Sequence, residues 1–375
     1  MEYWLWLRTI KGIGPIMEKR LLSRFGCPKA IYDACKDDLL TIKGIGEALA
    51  NSIISCRSLE KAYSILNECE KKNIKLLSYN DPLYPDIAKE FTYAPTLLYY
   101  KGNIKENIEG VAIVGSRKCS SYGKEIALSV AKYLAQNSIT VISGMAKGID
   151  SYAHISCLKN GGYTIAFLGN GVDICYPSEH SELIEAIAEK GAIISEYPPG
   201  TKPRAEYFPK RNSLISSWSR KVLVVEAGEK SGALITANIA IKQGKELYVP
   251  PHEINSESGK GSNKLLLGGA NIFLYPSQLL INNPNLTKSK NPIKNKTTNI
   301  NKANNDAVKR VELSSIEEKI LISLSEATKT VEEIRIDVQI NLSDLIEHIS
   351  IMELEGKISA VAGGRYRALL TVPGT

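Results

Sequence analysis

The chain has 375 residues, 43% of them apolar, and carries 47 Lys and Arg against 40 Asp and Glu, a formal net charge of +7. That length suits two or three domains around sizeable cores, while apolar runs such as Val222-Leu223-Val224-Val225 are far too short for the ~18 residues of a membrane-spanning helix. Seven scattered cysteines never form Cys-x-x-Cys, which argues against a disulfide framework or a zinc site, and Met1-Glu2-Tyr3-Trp4 lacks a basic signal-peptide start, so the expected location is the cytoplasm.

The first sixty residues repeat one phrase, Thr9-Ile10-Lys11-Gly12-Ile13-Gly14 and Thr41-Ile42-Lys43-Gly44-Ile45-Gly46, each leading into a helical pattern. Two helix-hairpin-helix units are predicted, a SAM-like all-α module over 1–60. Their Gly-x-Gly turns can offer backbone N–H groups to a DNA phosphate, although Pro15 removes one donor from the first turn. Packing of the two hairpins into a module for protein contacts is the alternative.

From 61 to 280 apolar runs alternate with amphipathic segments. Strands are expected near 111–114, 139–142, 163–168, 192–195, 221–226 and 246–249, and helices near 122–136, 151–159, 179–190, 212–218, 233–243 and 262–268. Tyr84 to Asn103 reads as an extra helix and strand. The fold class is therefore α/β, a doubly wound parallel sheet whose crevice lies at the carboxyl ends of its strands.

Several loops at that end carry chemistry. Gly115-Ser116-Arg117 turns sharply after a strand, Ser120 or Ser121 can cap the next helix, and Arg117 supplies a fork for phosphate oxygens. An ordinary strand-to-helix turn is the competing reading, because neither a three-glycine dinucleotide fingerprint nor a Walker loop is present. Gly144 follows the next strand, with Lys147 on the loop and Asp150 at the expected helix start, a cap rather than a catalytic acid. His154 reads as a buried, hydrogen-bonded histidine.

Between Glu196 and Arg211 four prolines accompany Lys202, Arg204, Lys210 and Arg211, interleaved with Tyr197, Tyr207 and Phe208. Aromatics beside cations suit single-stranded nucleic acid, where bases stack and charges follow the backbone. A solvated loop whose aromatics plug the sheet edge is the alternative. Asn212 opens the next helix and serves equally well as its cap. No paired carboxylates, Ser/His/Asp set or metal spacing emerges, so a binding protein without metal or cofactor is favoured over a hydrolase.

Residues 281–310 hold seven Lys/Arg and one Asp, giving +6, with many Asn and few large apolar residues; a flexible basic tether is expected. Residues 311–375 carry −5 and show three helical patterns, Ile316 to Leu324, Val331 to Val338 and Leu342 to Leu354, then a hairpin near Gly356 to Val361 and Arg365 to Leu369. A winged-helix domain is predicted, and its negative sign favours protein contact or autoregulation over reading DNA.

Taken together, Gly115-Ser116-Arg117 with Ser120, Tyr122 and Gly123, Ser143-Gly144 with Gly148-Ile149-Asp150, His154, Phe208-Pro209 with Arg211-Asn212, and Ser231-Gly232 with Leu234-Ile235-Thr236-Ala237 resemble the bacterial DNA-processing protein A family, also called Smf. The resemblance covers about residues 84 to 275. It implies an extended Rossmann-like core that binds single-stranded DNA without sequence preference, protects strands entering by natural transformation, loads the RecA recombinase on them and acts as a homodimer. Carried onto this chain, the DNA pocket comprises Gly115, Ser116, Arg117, Ser120, Lys147, Lys210, Arg211 and Asn212, with Lys202 beside them. The family's Arg-Asn-Arg reads Arg211-Asn212-Ser213 here, its Pro-Gly after the last strand reads Pro250-Pro251, and its Ser-Gly-Ser reads Ser231-Gly232-Ala233. A hydrolase binding a nucleotide phosphate at the first loop is the rival, although the Pro-Gly-Gly-x-Gly-Thr loop expected of such enzymes is missing at Ser231 to Ala237.

Overall fold

The computed structural model describes residues 1–281 and 315–369, apart from 326 and 362. The tether predicted over 281–310 falls almost wholly outside the described residues. Contacts divide the chain into two compact units, Met1–Leu279 and Leu280–Thr375.

In the first unit, helices α1 (Glu2–Thr9), α2 (Pro15–Phe25), α3 (Pro28–Asp33), α4 (Lys36–Leu40), α5 (Glu47–Ser55) and α6 (Glu60–Lys71) form the N-terminal module. Gly12 to Gly14 join α1 to α2, and Gly44 to Gly46 join α4 to α5. Pro15 opens α2 at a position whose N–H has no intrahelical partner, so the ring costs the helix nothing. The apolar faces of these helices do not close on themselves. Trp6, Leu21, Leu39 and Ile53 share one cluster with Leu97, Tyr99, Ala166, Leu168 and Ile193 of the sheet. A buried polar link accompanies it: Glu18 of α2, fully enclosed, accepts from Arg8 Nη1 at 3.2 Å and from the Thr96 hydroxyl.

The sheet is built from β1 (Lys75–Ser78), β2 (Leu97–Gly102), β3 (Gly110–Val114), β4 (Thr140–Ser143), β5 (Thr164–Leu168), β6 (Ala192–Ser195), β7 (Lys221–Val224), β8 (Glu246–Val249) and β9 (Asn271–Ile272), in the order β1-β2-β6-β5-β4-β3-β7-β8-β9. From β6 to β9 the strands are parallel; β2 and β1 add antiparallel at one end. Helices connect them: α7 (Asp86–Lys89), α8 (Ser121–Gln136), α9 (Ile149–Lys159), α10 (Ser181–Lys190), α11 (Tyr207–Ser217), α12 (Gly232–Lys242) and α13 (Lys260–Leu267). Both faces are covered, so central strands such as Val111 to Val114 are buried throughout and read as unbroken apolar runs. On β2 the period-two alternation sends Leu97 and Tyr99 to the helical module and Leu98 and Tyr100 to the opposite cluster.

Two local expectations are corrected. Helix α11 begins at Tyr207, five residues before the expected 212, because Pro209 sits in its first turn, where a missing N–H is harmless. Consequently Lys210, Arg211 and Asn212 lie on a helix rather than at the end of a loop. The N-cap of α9 is Gly148, and Asp150 is the second helical residue, buried instead of capping.

The second unit contains α14 (Ser315–Ser323), β10 (Lys329–Thr330), α15 (Val331–Val338), α16 (Leu342–Leu354), β11 (Ile358–Val361) and β12 (Arg365–Ala368), the strands forming an antiparallel sheet in the order β10-β12-β11. Its core gathers Leu321, Ile334, Leu345, Met352, Ile358 and Tyr366. Lys357 is buried there and donates to Glu317 Oε2 at 2.8 Å. No helix among the described residues of either unit is long and apolar enough to cross a membrane.

Candidate nucleic-acid interface

The chain leaves β3 and runs on to β4, β5 and β6 before returning as β7 on the other side of β3, so the loops after β3, β4 and β5 open beside a reversal of strand order. Together with the first turns of α11 they form an open cleft, lined among others by Arg117, Lys147, Asn170, Tyr176, Phe208 and Arg211.

The first loop is held rigidly from behind. Ser116 N–H donates to Glu226 O at 2.8 Å, its carbonyl accepts from Ile149 N–H at 3.2 Å, and its hydroxyl donates to Lys118 O at 3.0 Å. These bonds leave Arg117 exposed, with its guanidinium carbon 5.8 Å from the centre of the Phe208 ring. Arg117 has no ion pair among the described residues, so its charge is available to a ligand.

Ser120 does cap α8, accepting from Gly123 N–H at 3.1 Å. Its own N–H donates to Glu226 Oε1 and Oε2 at 3.0 and 3.1 Å, and its hydroxyl donates to Oε2 as well. The fully buried Glu226 carboxylate thus holds the helix start that the sequence offers to a phosphate, and Ser120 supports the loop from outside the cleft lining.

The second loop approaches α11 so closely that only glycine fits at 144. A Cβ there would lie 1.9 Å from Arg211 Nη1 and 2.5 Å from Asp150 Oδ2. Arg211, 5% exposed, donates Nη1 to Phe167 O at 2.9 Å, while its Nε has no hydrogen-bond partner among the described residues. Asp150 accepts from Ala146 N–H at 3.4 Å. Burial pushes Arg211 down to about 10 and Asp150 above the ordinary carboxylate range, and their mutual attraction only partly offsets it. Arg211 remains cationic at neutral pH. Lys147, on the rim, pairs with Glu179.

Phe208 is the hub of this arrangement. Its ring lies 5.8 and 5.6 Å from the guanidinium carbons of Arg117 and Arg211, and 5.7 Å from the ring of Tyr176, which is 42% exposed. Tyr197 and Tyr207 stack on each other at 4.1 Å instead of reaching the cleft. Of the residues singled out in the sequence, Arg117, Lys147 and Arg211 line the cleft, while Gly115, Ser116 and Ser120 shape it from behind. Lys202, Lys210 and Asn212 stand outside its lining. Sequence reasoning missed Tyr176, Asn170 and Glu226; a Gly169-Asn170-Gly171 turn after β5, and a carboxylate ending the apolar run of β7, were the available signals.

His154 is a structural residue, as expected. It is wholly buried, its Nε2 lies 2.6 Å from Gly144 O, and its Nδ1 lies 2.7 Å from the Thr164 hydroxyl. A carbonyl only accepts, which assigns the ring proton to Nε2. Burial drives the pKa down to about 4. Above the ordinary value near 6.5 both folded and unfolded chains hold a neutral ring; as pH falls toward 4 only the unfolded chain takes up the proton, and stability drops by about 3 kcal/mol. Urea unfolding of the native protein and His154→Gln across that window should show the variant's dependence on pH flattened. Parallel curves would refute the assignment.

Residues 75–283 match the model of the DNA recombination-mediator protein A family, and residues 7–57 match that of the SAM-like helix-hairpin-helix tandem. Protein Smf of a Synechocystis species is 38% identical over 283 residues, 74% of this chain and 71% of that protein. The X-ray structure of DNA processing protein A from Streptococcus pneumoniae superposes with a TM-score of 0.64 at 30% identity, covering 74% of this chain and 96% of that one. A Helicobacter pylori DNA processing protein A, solved to explain its single-stranded DNA binding mode, gives 0.50 at 31% identity over 55% of this chain and 93% of that one. A family model spanning more than half the chain, on a sheet whose loops converge at one basic, aromatic cleft, makes this chain a member of the DNA recombination-mediator protein A family.

Proposed function

We propose that this chain binds single-stranded DNA without sequence preference, protects incoming strands and loads the RecA recombinase on them in natural transformation or recombination, acting as a binding protein and not an enzyme. The observation that carries the reading is the pair of guanidiniums, Arg117 and Arg211, flanking the Phe208 ring in one cleft. Such a set meets phosphates with charge and bases with a ring face, neither of which distinguishes one base from another. The Helicobacter relative's single-stranded DNA binding supports it. Asp150 is buried and accepts from Ala146 N–H, Glu226 holds Ser120, and Glu179 on the rim pairs with Lys147, which disfavours hydrolytic chemistry.

A homodimer is part of the proposal. Edge strand β9 and its surroundings expose Leu267, Ile272, Leu274 and Tyr275, between 53 and 90% accessible, a patch that a sheet edge ordinarily keeps covered. For the second unit we propose a winged-helix fold that meets protein rather than DNA, because four of the six cations in 311–375, Lys329, Arg335, Lys357 and Arg365, are paired with its own acids. Titration of fluorescent oligothymidine and mixed-sequence strands at several salt concentrations tests the whole. Equal affinities are expected, with a log–log salt slope of about −2 to −3.5 for three to five neutralised phosphates, and sedimentation at twice the chain mass. Binding indifferent to salt, or confined to one sequence, would sink the reading.

A further inference from the structure

The second hairpin turn is wedged against α2. Gly44 has φ +94°, and a side chain there would stand 2.9 Å from Met17 Cε and 3.1 Å from Arg20 Nη1, which donates to Lys43 O at 2.9 Å. On its other side α2 meets the segment after β1, where Lys19 Nζ donates to Phe91 O and Thr92 O at 2.8 and 3.0 Å. The three walls enclose an open groove bearing Lys19, Arg20, Arg24, Lys43 and Lys89, and no acidic side chain lines it. The single acid of α2, Glu18, is buried away from solvent against Arg8 and Thr96. Lys89 pairs with Asp86 at 3.0 Å, and Lys19 and Arg20 spend donors on backbone carbonyls. Arg24 and Lys43 are exposed and have no ion pair among the described residues.

We propose that this groove is a second nucleic-acid site, which takes the phosphodiester backbone without reading bases. Arg20 and Arg24, four apart on α2, share one helix face, so cations follow one another along the groove as phosphates do along a strand. An acidic protein partner is the weaker fit, because only Ile16, Ile42 and Tyr79 offer the wall an apolar or aromatic anchor. None of the groove residues belongs to the Arg117 cleft. Both lie on the same compact unit, so a strand held at one site is presented to the other at raised effective concentration.

The double variant Arg24→Glu/Lys43→Glu, whose fold is checked by its melting curve, tests this against a short oligothymidine, a long one and a mixed-sequence duplex, each titrated at several salt concentrations. Affinity for the long strand, the duplex or both should fall at least about tenfold, and the single-strand salt slope should flatten by about 1.4 for two lost phosphate contacts. The arm that falls tells which nucleic acid the groove takes. The short strand, held by the cleft alone, should bind as before. Unchanged binding of both long strand and duplex overturns the proposal, as does an equal loss on the short strand. Arg117→Ala run alongside separates the two sites: if it changes nothing while the double variant does, the cleft reading fails and the groove stands.

Discussion

Arg117→Ala should lower affinity for single-stranded DNA by one to two orders of magnitude while leaving the melting temperature unchanged. The side chain is exposed and has no ion pair among the described residues, and its one described contact is with the Phe208 ring, so its loss should cost the fold little. Its loop is held by backbone bonds of Ser116 and by Glu226, which the substitution leaves in place. What disappears is a charge-assisted fork to phosphate, worth roughly 1.5–3 kcal/mol, and a cation over the Phe208 ring. Arg117→Lys discriminates between the two. A lysine restores the charge, and with it the salt slope, but not the planar fork or its stacking, so affinity should recover only in part. Full recovery by lysine would reduce the residue to a point charge, and wild-type affinity for the alanine variant would remove it from the interface.

Arg211→Met is expected to act on stability first, costing about 3–5 kcal/mol, the usual penalty for leaving one member of a buried charge pair alone. The lost partners are Phe167 O and the neighbouring Asp150. Asp150 already sits above its ordinary range, and loss of the cation raises it further. A carboxyl raised in the folded state stabilises below its unfolded pKa and loses that contribution as pH climbs through the folded one. The variant should therefore be least stable, relative to the native protein, at neutral and alkaline pH. Asp150→Asn in the same chain should restore much of the loss, a coupling that urea unfolding of both single variants and the double resolves. Strict additivity would show that the two groups do not sense each other.

The parallel sheet was legible because strands covered on both faces must be apolar at every position, and Val111 to Val114 or Val222 to Val224 announce themselves that way. Strands β1 and β9 were not: one is an antiparallel addition with mixed burial, the other two residues long. The start of α11 was misplaced because Phe208-Pro209-Lys210-Arg211 has the composition of a loop, and only the tolerance of a first turn for proline makes it helical. The same phrase concealed the depth of Arg211. An arginine in a basic run reads as solvated, and its slot is made by Gly144, 67 residues earlier, whose need for close approach has no signature in sequence. Glu226 was passed over for a like reason: its worth lies in the amide and hydroxyl of Ser120, brought beside it by the adjacency of β3 and β7.

The apolar cluster joining the N-terminal hairpins to the sheet bears on how the molecule can be dissected. The family match begins at residue 75 and the hairpin match ends at 57, so homology invites a cut between them. That cut would take Trp6, Leu21, Leu39 and Ile53 out of the cluster they share with Leu97 and Tyr99, and leave Thr96 without Glu18. The N-terminal module is, for this polypeptide, part of the roof over one side of its interior, and a fragment excised without it would have to find another lid or clump.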